Sequence, residues 1–358
     1  MKKLLALAIT AAMSFSLMAC GEQAPATESA STETTETAEE ATATAEETAD
    51  AEIEAEAAAE GDETAEAGSY TIGICQLVQH EALDAATTGF KDAVTEELGD
   101  SVTFDEQNAQ GDSNTCSTIV NGFVSSSYDL ILANATAPLQ AAAAGTNTIP
   151  ILGTSITDYA TALEIEDWTG TVGNNISGTS DLAPLDQQAE MLKELFPDAV
   201  NVGLVYCSAE PNSQYQVDTI QTYLEDMGYT CTQYSFADSN DISSVVTTAS
   251  DASDVLYIPT DNTAASNTEL INNICVGKTP IITGEEGICS GCGIATLSIS
   301  YYDLGYTTGQ MAVKILKGES DITTMPVEYA PNVTKKYNKA NAEALGITIP
   351  DGYEAIAE

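Results

Sequence analysis

The sequence predicts an α/β protein of two lobes, each a parallel sheet flanked by helices, set behind an export leader and a polar spacer. Two observations carry the fold class. Tyr70-Thr-Ile-Gly-Ile-Cys-Gln76 is an alternating β-branched run that ends at a polar residue, and a helix pattern begins within a few positions. In that helix Ala82, Leu83, Ala86, Phe90 and Val94 recur at three- and four-residue spacing, which places them on one face. A strand feeding a helix is half of a βαβ unit, the building block of a parallel sheet. The same unit returns about six times downstream, so the chain reads as two copies of one ligand-facing design.

The first twenty residues read as an export signal. Lys2 and Lys3 form a positive start, and Leu4 to Ala12 form an apolar segment too short for a committed membrane span. Leu17-Met-Ala-Cys20-Gly21 resembles the bacterial lipobox, although Met18 stands where a small or β-branched residue is usual. The resemblance implies cleavage before Cys20 and acylation of its thiol, and two or more acyl chains give durable anchoring. Residues 22–68 are built from Ala, Thr, Ser and Glu, with no aromatic or basic residue. Such a segment cannot bury enough apolar surface to offset its ordering entropy and is expected to be a disordered, charged tether.

The remaining 290 residues suffice for two α/β lobes of ordinary size. Of the 55 acidic residues 16 fall in the spacer, and two of the ten basic residues, all Lys, fall in the leader, which leaves the folded part near −31. That charge argues against binding nucleic acid or an anionic membrane surface. Without Arg, a ligand carboxylate would have to be held by Lys, hydroxyls, amides or helix N-termini. Seven cysteines follow Cys20, namely Cys75, Cys116, Cys207, Cys231, Cys275, Cys289 and Cys292, an odd number that cannot all pair within the chain. Cys289-Ser-Gly-Cys292 has the spacing of a redox or metal half-site. With no second such pair and one His in the chain, neither a metal nor another cofactor is expected.

In the first lobe, Ser101 to Phe104 reads as a second strand leading into Asn108-Ala-Gln-Gly-Asp112. A short helix over 113–125 and a strand over 129–133 follow, the latter ending at Asn134-Ala-Thr136 before Pro138. Ile149 to Leu152 is a fourth strand, ending at Gly153-Thr-Ser155-Ile-Thr-Asp158. Polar residues just past successive strands, at 76, 134–136 and 154–158, are what a cleft rim needs, because ligands of open α/β folds sit at the carboxyl ends of strands. Each also suits a helix cap or turn.

Ile72-Gly-Ile-Cys-Gln76, His80-Glu-Ala-Leu-Asp-Ala-Ala-Thr-Thr-Gly-Phe90, Asn108 to Asp112 and Asp129-Leu-Ile-Leu-Ala-Asn-Ala-Thr136 resemble the substrate-binding lipoproteins of ABC importers. These have the type-1 periplasmic-binding-protein fold, two Rossmann-like lobes with parallel sheets joined by a hinge. Within that class the chain is similar to the group linked to tryptophan and other aromatic amino acids. It departs from the group at Ala82, where Pro is usual, and at Thr87 or Thr88, where Arg is frequent.

Thr169 to Ser180 is glycine-rich and polar, as a crossing segment should be, and Asn175 to Asp181 resembles the family's crossover. A helix over 185–195 ends before Pro197. Asn201 to Tyr206 is a buried strand opening at Cys207-Ser-Ala-Glu-Pro-Asn212-Ser213, a family-like loop in which Cys207 and Ser208 replace an Asn-Pro pair. A helix over 214–227, strands over 230–236 and 255–258, and a helix over 264–275 come next. Between the last two lies Pro259-Thr-Asp261-Asn262-Thr263, among the most specific motifs of the resemblance. Strands over 279–282 and 293–300 bracket Glu285. Tyr301-Tyr302-Asp303 starts a helix that runs to Leu316, close to a family hinge crossing, and a strand over 329–337 and a closing helix over 340–346 complete the chain. The organisation expected is a signal peptide over 1–19, the lipidated Cys20 and tether over 20–68, an N-terminal lobe over 69–179, a C-terminal lobe over 180–297, and hinge and closing elements over 298–358.

The reading is a solute receptor that closes on a small ligand, an amino acid and by resemblance an aromatic one, and docks on an ABC permease. It is expected to be a monomer that meets the membrane through its lipid alone. Asp261, Glu285 and Asp303 are candidate ammonium partners, and Asn262 can bind either end of an amino acid. Thr136, Ser155 and Ser213 are candidate carboxylate donors, and Leu77 and Tyr302 candidate side-chain contacts. Gln76, His80, Asn134, Asp158 and Asn212 complete the expected rim. A sensor for a membrane signalling partner would use the same fold. An exported enzyme is the rival, but His80 has no nucleophile elbow around it and no catalytic residue is assigned.

Overall fold

The computed structural model describes residues 69–330 and 332–357. The expected signal peptide, the lipidated Cys20 and the acidic tether lie outside the described residues.

From Tyr70 the chain alternates strand and helix: β1 (Tyr70–Gln76), α1 (Glu81–Leu98), β2 (Val102–Asn108), α2 (Ser113–Ser125), β3 (Leu130–Asn134), α3 (Thr136–Gly145), β4 (Ile151–Ile156), α4 (Tyr159–Ala162) and β5 (Ile176–Ser180). The second series is α5 (Leu185–Leu195), β6 (Asn201–Cys207), α6 (Pro211–Asp226), β7 (Thr230–Phe236), α7 (Ile242–Ala252), β8 (Val255–Ile258), α8 (Asn262–Ala265), α9 (Thr268–Cys275), β9 (Ile281–Thr283), α10 (Glu286–Cys292) and β10 (Ala295–Ser298). The chain closes with α11 (Tyr301–Leu316), β11 (Glu328–Tyr329), β12 (Thr334–Tyr337), α12 (Lys339–Leu345) and β13 (Glu354–Ala355).

The strands form two sheets. The first has the order β11-β5-β4-β3-β1-β2, with every pairing parallel. The second has the order β13-β12-β10-β9-β8-β6-β7, parallel except where β12 runs against β10. Each sheet buries both faces, which is why its central strands read as near-continuous apolar runs. In the first, Ile72, Ile74, Leu130 and Leu132 pack with α1 and α11, while Cys75, Ile131 and Ala133 pack with α2 and α3. Winding reverses between β1 and β3 in one sheet and between β6 and β8 in the other, and a crevice opens at the carboxyl ends of such strand pairs.

Three connections pass between the lobes: 181–184 after β5, 299–300 after β10, and the stretch between β11 and β12. Helix α11 returns from the second sheet to lie on α1. Glycines make that approach possible, since a Cβ at Gly89 would collide with the Tyr302 carbonyl and one at Gly305 with the Ala86 carbonyl.

The sequence expectation omits helices α4, α7 and α10 and differs from the structure at three further places. Residues 176–180 form a fully buried strand rather than a crossing, and the crossing starts at Asp181. Their polarity is absorbed inside the sheet: Thr179 meets the Thr154 and Thr308 hydroxyls, and Ser177 donates to the Met325 carbonyl. Gly178, at φ 144°, lies where a side chain would strike the backbone of Gly153. The helix expected over 264–275 is two helices broken at Ser266 and Asn267. The strand expected over 329–337 is two short strands in different sheets, which is how this stretch crosses between the lobes.

Candidate functional site

Between the carboxyl ends of the two sheets lies a small enclosed cavity. Ser155 and Thr157 reach it from the end of β4, Asp181 and Tyr301 from two of the crossings, and His80 and Leu83 from the start of α1. The second lobe supplies Asn212 at the start of α6, Thr260, Asp261 and Asn262 after β8, Ala265, and Glu285 after β9. Its volume is about 10 Å³, room for roughly one water. The lobes touch across it, where His80 Nε2 lies 3.2 Å from Asn262 Oδ1.

Ser155 is a residue of β4 in the left-handed region, at φ 56°, where the register of β4 against β5 shifts. Such irregularities re-aim a side chain and cost about 1 kcal/mol or more for a residue other than glycine. The outcome is a buried hydroxyl with no hydrogen-bond partner, and the buried Thr157 hydroxyl has none either. Asp181 is 3% exposed. Its Oδ2 accepts from the Tyr301 hydroxyl at 2.8 Å, while Oδ1 has no partner. Burial raises the Asp181 carboxyl above its ordinary value, and the Tyr301 hydrogen bond and the neighbouring Thr157 hydroxyl oppose the shift.

The second-lobe acids are arranged differently. Asp261 caps α8, with Oδ1 accepting from the Ala264 amide at 2.8 Å and Oδ2 from the Cys207 amide at 2.7 Å. Glu285 caps α10 through the Gly287 and Ile288 amides. Burial pushes Asp261 up to about 7, with the Glu210 charge adding to the shift and the backbone amides opposing it. Burial likewise pushes Glu285 up to about 7 against its two amide bonds. Glu210, behind the cavity wall, receives the Asn262 and Thr263 amides, the Asn262 side chain at 2.7 Å and the Thr263 hydroxyl at 2.7 Å. Burial lowers the His80 pKa, which keeps the ring neutral, and among the described lining residues there is no Lys.

Of the residues singled out by sequence, His80, Ser155, Asn212, Asp261, Asn262 and Glu285 converge on this cavity. Leu77 and Thr136 line an adjoining groove of about 450 Å³ that also includes Asn212 and Asn262. Tyr302 and Asp303 line a second adjoining groove of about 770 Å³ on the hinge side, which shares Glu285 and Tyr301 with the cavity and where Lys336 is paired with Glu286 at 2.7 Å. Gln76 and Asn134 belong instead to a buried network: Gln76 accepts from Thr87 at 2.6 Å and donates to Asp84, and Asn134 donates to Thr87 and to the Leu83 carbonyl. Asp158 caps α4 through the Thr161 amide, and the buried Ser213 sits behind Asn212.

The site residues singled out by sequence do not include Thr157, Asp181, Thr260 or Tyr301. Thr157 and Thr260 lie inside stretches it marked, Asp181 closes the crossover motif, and Tyr301 is one position from the tyrosine it chose. The seven described cysteines are all free thiols, Cys289 and Cys292 among them. Among the described residues no group of His, Cys, Asp and Glu could hold a metal ion.

Comparison with known proteins agrees with this architecture. Residues 71–358 match the family model of ABC transporter substrate binding proteins. A tyrosine-binding protein of Clostridioides difficile is 36% identical over 278 residues, which are 76% of this chain and 80% of that protein. The structure of a Streptococcus pneumoniae ABC domain in complex with L-Trp is 32% identical and superposes with a TM-score of 0.76, covering 81% of this chain and all of that one. A ligand-free, open structure of a Clostridium difficile substrate-binding protein with adhesive properties is 36% identical but superposes at 0.62, covering 80% of this chain and 99% of that one. The better fit to the ligand-bound relative, despite lower identity, is what lobes drawn together would produce. The chain has the type-1 periplasmic-binding-protein fold and belongs to the ABC transporter substrate-binding protein family.

Proposed function

We propose that the protein captures an aromatic amino acid between its lobes and delivers it, chemically unchanged, to an ABC permease outside the cytoplasm. The observation that carries this reading is the set of buried, partnerless polar atoms on the cavity wall: Ser155 Oγ, Thr157 Oγ1 and Asp181 Oδ1. Buried polar groups are almost always paired, and three of the six left open among the described residues gather on this one wall, which supports it as the place where another molecule completes the bonding. Hydroxyls and side-chain amides suit a carboxylate and a carboxylate suits an ammonium group, which together describe an amino acid. The aromatic side chain is supported by the relatives, one with L-Trp bound and one a tyrosine-binding protein. The adjoining groove, with Leu77, Val78 and Pro211 in its wall, gives that side chain room once the lobes part.

The cavity as closed is far smaller than an amino acid, so binding requires the lobes to open and reclose about the crossings. Ligand contacts made from both lobes then favour the closed form. Within this reading the chain acts as a monomer, held to the membrane by lipid on Cys20. Mass determination of the mature N-terminus checks the anchor.

The test is thermal unfolding of the full chain against amino acids, sugars and purines. A ligand at about a thousand times its Kd stabilises the native state by roughly 4 kcal/mol, a shift of several degrees. A shift confined to Trp, Tyr or Phe is expected, and a shift with a sugar alone would overturn the substrate assignment.

A further inference from the structure

We infer that the ligand's ammonium group sits on Asp181 Oδ1, with the Tyr301 hydroxyl holding the other carboxylate oxygen, and that the site selects its ligand by that positive charge rather than by the ligand's carboxylate. This deepens the amino acid reading above and rests on it.

Three carboxylates border the cavity, and only Asp181 has an oxygen with no hydrogen-bond partner. Asp261 and Glu285 have both oxygens bonded to backbone amides. Asp181 has one oxygen bonded to Tyr301 and one with no partner, in a side chain that is 3% exposed. A buried carboxylate without a positive partner is costly, and a cation beside it relieves that cost. Among the described lining residues, neither Lys nor a charged His supplies one. A ligand ammonium group would supply it.

The opposite end of the ligand meets neutral donors. The Ser155 and Thr157 hydroxyls can bond a carboxylate but do not neutralise it, while the Asn212 and Asn262 side-chain amides already donate to Thr260 and Glu210. An anion lacking the amine would enter a cavity already holding excess negative charge. An amine lacking the carboxylate would lose only hydrogen bonds between neutral and charged groups. Asp181 opens one crossing between the lobes and Tyr301 starts α11 directly after another, so the group that receives the ammonium is anchored where closure pivots.

The test is calorimetry on the full wild-type chain with L-tryptophan, tryptamine and indole-3-propionate, repeated with Asp181→Asn. In the wild type, indole-3-propionate is expected to bind at least about 100-fold more weakly than L-tryptophan, while tryptamine is expected to lose clearly less than indole-3-propionate does. Asp181→Asn is expected to weaken L-tryptophan and tryptamine by at least about 100-fold and to leave indole-3-propionate unchanged or tighter. Indole-3-propionate binding as well as L-tryptophan, tryptamine losing as much as the acid, or a variant that weakens all three alike would overturn the inference while leaving the amino acid reading standing. Failure of the wild type to bind any aromatic amino acid would overturn that reading itself. The wild-type comparison needs no variant, so it decides the point even where Asp181→Asn folds poorly.

Discussion

Asp261 and Glu285, on the second lobe, commit both carboxylate oxygens to backbone amides, whereas Ser155 and Thr157, on the first, present hydroxyls with no partner. The two walls of one cavity are thus built on different principles. The second-lobe wall is complete in itself: its acids hold the first turns of α8 and α10, and Glu210 gathers the loop that carries Asn262 and Thr263. The first-lobe wall and the crossing at Asp181 leave Ser155 Oγ, Thr157 Oγ1 and Asp181 Oδ1 without partners. A polar residue at a cleft is therefore not equivalent to a ligand contact. Some of these side chains hold the wall in place, and others are held ready by it.

The comparison breaks most visibly at Asp261. Replacing it by Ala strands the buried amides of Cys207 and Ala264, so Asp261→Ala should lose about 2–4 kcal/mol of stability in chemical denaturation. Asp261→Asn retains an acceptor and should recover part of the loss. Stability within about 0.5 kcal/mol of wild type for the Ala variant would mean that the second-lobe wall is not self-supporting.

On the first-lobe side the expectation reverses. Thr157→Val removes a buried hydroxyl that has no partner, which should leave stability unchanged or slightly raised. The same variant should weaken ligand binding about tenfold, the worth of one hydrogen bond to a charged group. Calorimetry and denaturation of this single protein sharpen the contrast, because a structural role would move the two measurements together.

A third test uses pH. Asp261 and Glu285 have folded-state pKa values raised to about 7, above those of the unfolded chain. Between the unfolded and folded values the native state binds more protons than the unfolded one. Stability from these groups is therefore present in full below about pH 4 and is lost as pH rises through about 7. The ligand-free melting temperature should fall from pH 5 to pH 8, and the slope should flatten in an Asp261→Asn, Glu285→Gln double variant. An unchanged slope in that variant would assign the pH dependence to the general negative charge of the surface instead.

The smallest effect is expected at Tyr302. It is 40% exposed and its hydroxyl meets Asp92 at 3.0 Å on the outer face of α1 and α11. Tyr302→Phe should change stability by less than about 0.5 kcal/mol and leave ligand affinity unaltered. A measurable loss of affinity would bring the hinge-side groove into the site.

The fold was legible because buried parallel strands such as Leu130–Asn134 and Val255–Ile258 are apolar runs that give way to helical periodicity. Strand β5 was not, since Ile176-Ser-Gly-Thr-Ser180 carries the composition of a loop, and its burial depends on hydroxyl partners supplied by β4 and α11. Misplacing that strand hid Asp181, which follows it directly. Tyr301 and Tyr302 look alike in sequence, but successive residues of a helix point about 100° apart, which leaves Tyr301 6% exposed and Tyr302 40% exposed. The strand-end polar residues were recognisable as a class. Which were caps and which were open depended on the amides they found, a property of the loops' three-dimensional course.

The most direct test of the account is a crystal structure of the full chain grown with L-tryptophan. The account predicts the amino acid between Ser155 and Thr157 on one side and the Asp261–Asn262 loop on the other, with the lobes further apart than here and the helix caps at Asp261 and Glu285 intact. L-tryptophan found instead in the hinge-side groove beside Tyr302 and Asp303, with Ser155, Thr157 and Asp181 still without partners, would contradict it.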